Sequence, residues 1–365
     1  MASQVLSIDK IRIRNFRSII DQTIELARFS VFVGNNDQGK SNILKALNLF
    51  FNETSSGTRR HTFEEDFNLY SHKEGSHKAK EIIIELWITP PLSYQEGRQV
   101  YWRRVWRTEG IQRDKEIMRY ADGSVFPARS KMPALLNSIR YEYVPAIKGN
   151  EYFSRLLGDL HDILALTAEG EMRSASTGFT DSINTHACGI LDELKLILEF
   201  DSTIQLPPDL RDLFAQLDFA SEQEGKRISF IQRGDGVKVR HVPAILYYIA
   251  QQANQKRAQG RPTVFTVWGY EEPENNLEMS KSLELADRFI KYSNRLQILV
   301  TTHSPSFYSI ARSAKWQSRL HTVRLLEEPK RTEVVLVPHE SIAGIDEQMG
   351  LCFAPVGIGQ RLQIG

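Results

Sequence analysis

The chain has 365 residues, with 46 Lys plus Arg against 45 Asp plus Glu, so its formal net charge is only +1. A composition that is 41% hydrophobic, 10% aromatic and 25% charged excludes a disordered or collagenous chain. The near-zero balance excludes a protein that holds nucleic acid by bulk charge, so any DNA contact must come from a local patch. The 2 cysteines, Cys188 and Cys352, form no C-x-x-C pair, which argues against a disulfide framework or a zinc site. The start, MASQVLSIDKIRIRNF, is charged and alternating and lacks the apolar core of a signal peptide. No apolar run approaches the ~18 residues of a membrane span. The expectation is a cytoplasmic globular protein with no membrane partner.

Residues 6–14 alternate apolar and charged, and Ile8, Ile11 and Ile13 predict an edge or half-exposed strand. Short apolar runs at 24–27 and 30–33 follow, the second leading into Gly34. Residues 41–51 carry apolar side chains at helical spacing, so the segment reads strand, glycine loop, helix. Residues 52–80 are polar and predict a long surface loop. Strands are expected at 81–89 and 99–108, and a hairpin at 114–126 around Asp122-Gly123, which together make an antiparallel block. Another strand is expected at 139–145. From 150 the period changes to helical, with one face at Phe153, Leu156, Leu157, Leu160, Ile163 and Leu164 and a second between Ile183 and Leu198. A loop at 168–180 separates them. Buried strands are expected at 261–270 and 296–301, helices at 242–252 and 280–293, and late strands at 321–326 and 332–338. Strands alternating with helices predict an α/β fold.

Gly34-Asn35-Asn36-Asp37-Gln38-Gly39-Lys40-Ser41 fits G-x-x-x-x-G-K-[ST]. The glycines let successive main-chain N–H groups point at phosphate oxygens. Lys40 supplies charge to the β- and γ-phosphates, and Ser41 supplies a hydroxyl to Mg²⁺. The helix that starts there, through Asn42, adds the positive end of its dipole. The preceding strand and following helix are the context this motif needs, so nucleotide binding is expected.

Hydrolysis needs a second strand that brings an acid to the metal and orients a water. The run 264–270 ends in Glu271-Glu272-Pro273-Glu274, 231 residues after Lys40, so a large insertion separates the two motifs. Glu271 would hold Mg²⁺ and Glu272 would polarise the attacking water. A further buried strand ends in Thr301-Thr302-His303-Ser304-Pro305, where His303 is placed to meet a γ-phosphate.

The order of phosphate loop, R-G-D-G, E-E-P-E and T-T-H-S-P resembles the ABC-type ATPase heads of the RecF, SMC and OLD group. The opening, with IRNFRSI, IEL and FVGNNDQGKSNILKALNLFF, matches as well. The resemblance covers most of the chain, apart from the helical insertion and about the last 25 residues. It implies a P-loop NTPase of ABC type with an antiparallel β subdomain and a short helical, coiled-coil-like insertion. On that reading residues 1–149 form the N-terminal half of the head, 150–225 the insertion, 226–340 the C-terminal half and 341–365 a tail. The resemblance makes Glu271 the metal-binding acid, Glu272 the catalytic base and His303 the switch histidine. Arg233, Gly234, Asp235 and Gly236 become the signature loop that caps the ATP of an opposite protomer, and Asn275 and Asn276 fall at the D-loop. It departs from the usual pattern in lacking a signature serine, and no Q-loop glutamine can be assigned. ATP and Mg²⁺ are the implied cofactors and a homodimer closed around ATP the implied assembly.

Arg12, Arg14, Arg103, Arg104 and Arg107, with Trp102 and Trp106, offer either a DNA contact or a solvated sheet face with Trp in the core. About 60 residues follow Pro305 and contain no D-x-D cluster, so no nuclease activity is expected. Stand-alone heads of this kind resemble the ATPase subunits of bacterial anti-phage systems, in which a separate nuclease or toxin acts. The alternatives are a RecF-like repair ATPase that binds DNA directly, and a slow ATP-bound scaffold that holds a toxic effector inactive.

Overall fold

The computed structural model describes residues 6–56, 59–68, 70–71, 79–94, 97–167, scattered positions between 178 and 195, 221–223, 226–228, 234–254, 262–314, 318–328 and 330–338. In chain order the strands and helices are β1 (Ser7–Phe16), β2 (Ile19–Glu25), β3 (Phe29–Val33), α1 (Lys40–Asn52), β4 (Thr54–Ser56), β5 (Arg59–Arg60), α2 (Phe63–Asp66), β6 (Ile82–Thr89), β7 (Val100–Arg107), β8 (Gly110–Ile111), β9 (Ile117–Tyr120), α3 (Met132–Leu136) and β10 (Ile139–Val144). They continue with α4 (Asn150–Thr167), β11 (Ser221–Gln223), β12 (Lys226–Ile228), α5 (Asp235–Gln252), β13 (Phe265–Glu271), α6 (Met279–Ser293), β14 (Gln297–Thr302), α7 (Pro305–Ser313), β15 (Ser318–Glu327) and β16 (Lys330–Val337).

The chain divides into two compact units, one built from residues 1–147 and 262–365, the other from 148–261. The first holds two six-stranded sheets. One is antiparallel, in the order β2-β1-β6-β7-β8 with β9 also on β7. The other runs β10-β13-β14-β3-β15-β16, parallel except for β16. Every residue of β3, β13 and β14 is buried, as expected of central parallel strands covered on both faces. Helix α1 packs on β10, β13 and β14 of the parallel sheet. It sends Phe50 into edge contact with Trp102 and Trp106 of the antiparallel one, at ring separations of 4.9 and 6.3 Å. Burying a ring of that size contributes about 1.5–3 kcal/mol.

Several local expectations change. Of the two alternatives for β1 the half-exposed strand holds and the edge strand does not, because β2 and β6 flank it on both sides. A register shift at Ile8–Lys10 inserts one extra residue, which lets both Ile8 and Ile11 point into the core despite their odd spacing. The predicted hairpin at 114–126 is a single strand, β9, followed by a turn at Asp122-Gly123. Its ladder goes to β7 instead, and Pro127 follows the turn with no N–H to give a second strand. The stretch 52–80 is not all surface loop, since Phe63, Asp66 and Phe67 are buried and Phe67 bridges to Phe16. β10, although it follows the antiparallel block in sequence, joins the parallel sheet beside β13.

In the second unit α4 packs against α5, burying Phe153, Leu156 and Leu160 with Val242 and Leu246. This unit takes in α5 together with α4, where the sequence reading divides them at 225. The second helical face predicted at 183–198 lies largely outside the described residues.

Candidate nucleotide site

β3 delivers the chain into the glycine loop, and the loop is held from outside by the late hairpin β15–β16. A Cβ at Gly34 would lie 2.3 Å from the carbonyl oxygen of Val323, so no side chain fits there. Gly39 has φ +88°, and a Cβ on it would meet Thr332 Oγ1 at 2.1 Å and Ser18 Oγ at 2.6 Å. Thr332 donates from Oγ1 to the Gln38 carbonyl at 3.0 Å, while its main-chain N–H donates to Ser18 O at 2.7 Å. The Gln38 side chain accepts from the Leu325 N–H, so it anchors the loop to β15. Asn42 donates to Ser18 Oγ at 2.8 Å, tying the start of α1 to the β1–β2 turn.

Lys40 is buried, and its Nζ donates to the carbonyls of Gly34 and Asn35 at 2.8 Å each. Burial pushes its ammonium down from the ordinary value, and the carboxylates of Glu272, Glu274, Asp37 and Glu271 act against that. Around the loop is a cleft of about 640 Å³ lined by Asn36, Asp37, Gly39, Lys40, Ser41 and Asn42, with Glu272 across from them. Ser18, Lys45, Tyr70, Leu325 and Lys330 complete the lining.

The acids stand at and just beyond the end of β13, beside the end of the neighbouring parallel strand β14, with Glu271 opposite Thr301. Glu271 is buried and its Oε1 accepts from the Tyr143 hydroxyl at 2.8 Å, with Lys45 Nζ 3.9 Å away. Burial and then the Glu271 charge raise the Tyr143 phenol far above its usual value, so it remains a donor. Glu272 adopts φ +42°, a strained conformation for a side-chain-bearing residue that costs on the order of 1–3 kcal/mol. Its N–H donates to Thr301 O at 2.8 Å, and its Oε2 accepts from Asn275 Nδ2 at 2.9 Å. Asn276 also has a positive φ, +64°. Glu274 is buried, and its Oε1 accepts from Thr302 Oγ1 at 2.6 Å and from the His303 N–H at 3.0 Å. Burial pushes the Glu274 carboxyl up, and the bonds from Thr302 and His303 oppose that. The ring of His303 is half exposed, with Nδ1 3.4 Å from Glu274 and 3.9 Å from Glu272.

The structure thus gathers the phosphate loop, Glu271, Glu272, Glu274 and His303 in the first unit. Gly234, Asp235 and Gly236 begin α5 in the second unit, and Arg233 lies outside the described residues. Gln99 donates to Asp9 at 2.9 Å. Sequence reasoning missed Ser18, Lys45, Tyr70, Tyr143 and Lys330. The motif around Ser18, IRNFRSI, carried a signal for the first of them; the others stand outside any motif.

The basic stretch is largely neutralised. Arg12 pairs with Asp21 through two bonds of 2.7 and 2.8 Å, and Arg107 with Glu81 at 2.6 Å. Arg14 lies 3.8 Å from Glu85. Arg104 is buried against Glu116 at 2.9 Å and the Phe50 carbonyl. Trp102 and Trp106 are core residues, which rules them out as base-stacking platforms in this conformation. Arg103 sits across from Glu85 on β6.

Among the described residues no helix is long and apolar enough to cross a membrane, and no group of three or more His, Cys, Asp or Glu side chains is arranged to hold a metal by itself. The donors that do meet at the cleft are oxygens, a hydroxyl from Ser41 and carboxylates, which suits a hard cation such as Mg²⁺ that keeps waters and shares substrate phosphates.

Residues 7–96 match the family model of the AAA ATPase domain. An uncharacterised protein of Methanocaldococcus jannaschii is 39% identical over 87 residues, which is 23% of this chain and 24% of that protein's length. The chain spans only about a quarter of that relative. Over 91% of its length the chain resembles an Smc head bound to the C-terminal winged-helix domain of ScpA, with a TM-score of 0.54, 16% identity and 98% of that chain covered. A second Smc head, with an extended coiled coil and bound to the C-terminal domain of ScpA derived from Pyrococcus furiosus, gives the same TM-score at 15% identity, with 96% of that chain covered. The chain therefore carries an AAA ATPase segment over residues 7–96 and shares the fold of Smc heads.

Proposed function

We propose that the chain binds Mg²⁺-ATP in the cleft at the glycine loop and hydrolyses it, with Glu272 as the base that orients water. The observation that carries this is the shared cleft, where Lys40 and Ser41 from one end of α1 face Glu272 from the tip of β13. The main-chain N–H groups of the loop and Lys40 bind phosphate oxygens, and for that Lys40 Nζ leaves the Gly34 and Asn35 carbonyls it now caps. Ser41 and Glu271 would hold Mg²⁺, which would supply positive charge to offset that of the phosphates. Glu272 takes the proton of the attacking water at its carboxylate, which Asn275 holds in place. His303 faces the γ-phosphate.

Two chains closing around ATP, with Gly234, Asp235 and Gly236 capping the nucleotide of the opposite protomer, is the assembly this reading proposes. Two of the Smc heads of like fold are bound to a separate protein domain. By the same logic the output here is proposed to pass to a separate effector, as in anti-phage ATPase subunits. Direct DNA binding is the weaker reading, because Arg12, Arg104 and Arg107 are already engaged by acids.

Glu272→Gln is expected to bind ATP, lower turnover by about 10²-fold or more and trap a dimer. Lys40→Ala is expected to abolish nucleotide binding. ATP titration, steady-state hydrolysis and sedimentation in the presence of ATP check both. Normal hydrolysis by Glu272→Gln would remove it from the role of base.

A further inference from the structure

Glu272 and His303 sit on different strand ends, and their relative placement depends on what joins those ends. We propose that Glu274 is the positioning residue that does so, setting His303 against Glu272 for the hydrolytic step. This deepens the ATPase reading and rests on it.

The end of β14 and the residue after it make three bonds with the turn after β13. The Glu272 N–H bonds to Thr301 O at 2.8 Å, and Glu274 Oε1 receives both Thr302 Oγ1 at 2.6 Å and the His303 N–H at 3.0 Å. Thr302 Oγ1 in turn accepts from the Ser304 N–H at 2.9 Å, and Ser304 Oγ caps α7 by accepting from Ser306. One carboxylate therefore fixes the main chain of His303 from both sides. It also stands 3.4 Å from Nδ1 of the ring, with Glu272 Oε1 at 3.9 Å from the same atom. Both acids thus face the Nδ1 side of the ring.

A turn that needed only an acceptor could use a neutral amide. Glu274 is instead an acid 8% exposed, and its second oxygen is buried without a hydrogen-bond partner among the described residues. A buried carboxylate left half satisfied is costly, and its position beside His303 gives the charge a purpose that packing does not. The groups facing this carboxylate are Thr302 and His303 from the β14 loop, with Lys40 and Glu272 at longer range.

The test is a double-mutant cycle on ATP hydrolysis. Glu274→Gln keeps an acceptor for Thr302 and His303 but removes the charge at Nδ1. It is expected to lower kcat about tenfold, an effect typical of residues that orient a catalytic imidazole, and to leave KM for ATP within about twofold. In a His303→Ala background the same change is expected to cost less than about twofold, because the residue it acts through is gone. Glu274→Asp, which keeps the charge but withdraws it by one methylene, repeats the cycle should the Gln variant fail to fold. An equal loss in both backgrounds, an unchanged kcat, or a loss confined to KM would overturn the proposal while leaving the ATPase reading intact. A wild-type chain with no Lys40-dependent turnover would overturn both.

Discussion

Tyr143→Phe isolates one bond in the site. The phenol and the carboxylate it serves are both almost fully buried, 6% and 5% exposed, and they meet at 2.8 Å. The substitution keeps the ring and removes one oxygen, so packing changes little. It leaves Glu271 Oε1 facing Lys45 Nζ at 3.9 Å, too long to replace the lost donor. A hydrogen bond to a buried charge is worth about 1.5–3 kcal/mol, so unfolding of the first unit should become about 2 kcal/mol easier. For a unit of that size this lowers the melting temperature by roughly 4–8 °C. The Mg²⁺ concentration that half-saturates ATP hydrolysis should rise about tenfold, because Glu271, the acid proposed to hold the metal, loses its orientation. Tyr141→Phe is the control. Its hydroxyl donates to the Leu44 carbonyl at 2.9 Å, a neutral partner, and its loss should cost about 1 kcal/mol with no effect on Mg²⁺. Urea unfolding and a Mg²⁺ titration of each variant decide the matter. If Tyr143→Phe matches the wild type in both, Glu271 is oriented by other groups and the reasoning fails.

Gly39→Ala should destabilise the chain by about 2–4 kcal/mol and abolish nucleotide binding. The new methyl meets Thr332 Oγ1 and Ser18 Oγ inside 3 Å at a φ of +88°; a wild-type melting curve would refute the packing. His321→Phe should flatten the loss of stability in acid. Burial lowers the wild-type ring to about 4, with the main chain of Glu25 acting against the shift and Arg319 adding to it. The unfolded histidine takes up its proton near 6.5, so wild-type stability is lost between ~6.5 and about 4, by up to roughly 3 kcal/mol. Denaturant melts at pH 7 and pH 4.5 read the difference, and parallel curves for the two proteins would remove His321 from the account.

What could be read from the sequence was local. Eight consecutive residues specify the phosphate loop, because its glycines, Lys40 and Ser41 act within one turn of chain. Buried β13 and β14 announced themselves as unbroken apolar runs that end in acids or Thr-Thr-His. Tyr143 was invisible for the opposite reason, since 128 residues separate it from Glu271 and only parallel pairing of β10 with β13 unites them. The basic stretch misled in the same way. Arg107 and Arg104 look like a cationic strip in one dimension, yet their acids, Glu81 and Glu116, lie on other segments and are brought across by the sheet. The near-zero net charge was the better guide, because it implied an acid for nearly every base.

The phosphate loop belongs to the whole first unit rather than to the segment that carries the motif. Gly34 is shaped by Val323, Gln38 by Leu325 and Thr332, and Gly39 by Thr332 and Ser18. β3, which launches the loop, is flanked by β14 and β15, both from beyond residue 290. The acids come from the same late region, at the end of β13, which pairs with β10 only once residues 148–261 have looped out and returned. A cradle built this way forms only when both ends of the chain have met. The contacts at Glu272 and Glu274 are more local, since their partners Thr301, Thr302 and His303 lie on β14 or directly after it. The chain leaves the first unit after β10 and re-enters it before β13. One of these carries Tyr143 and the other ends in Glu271.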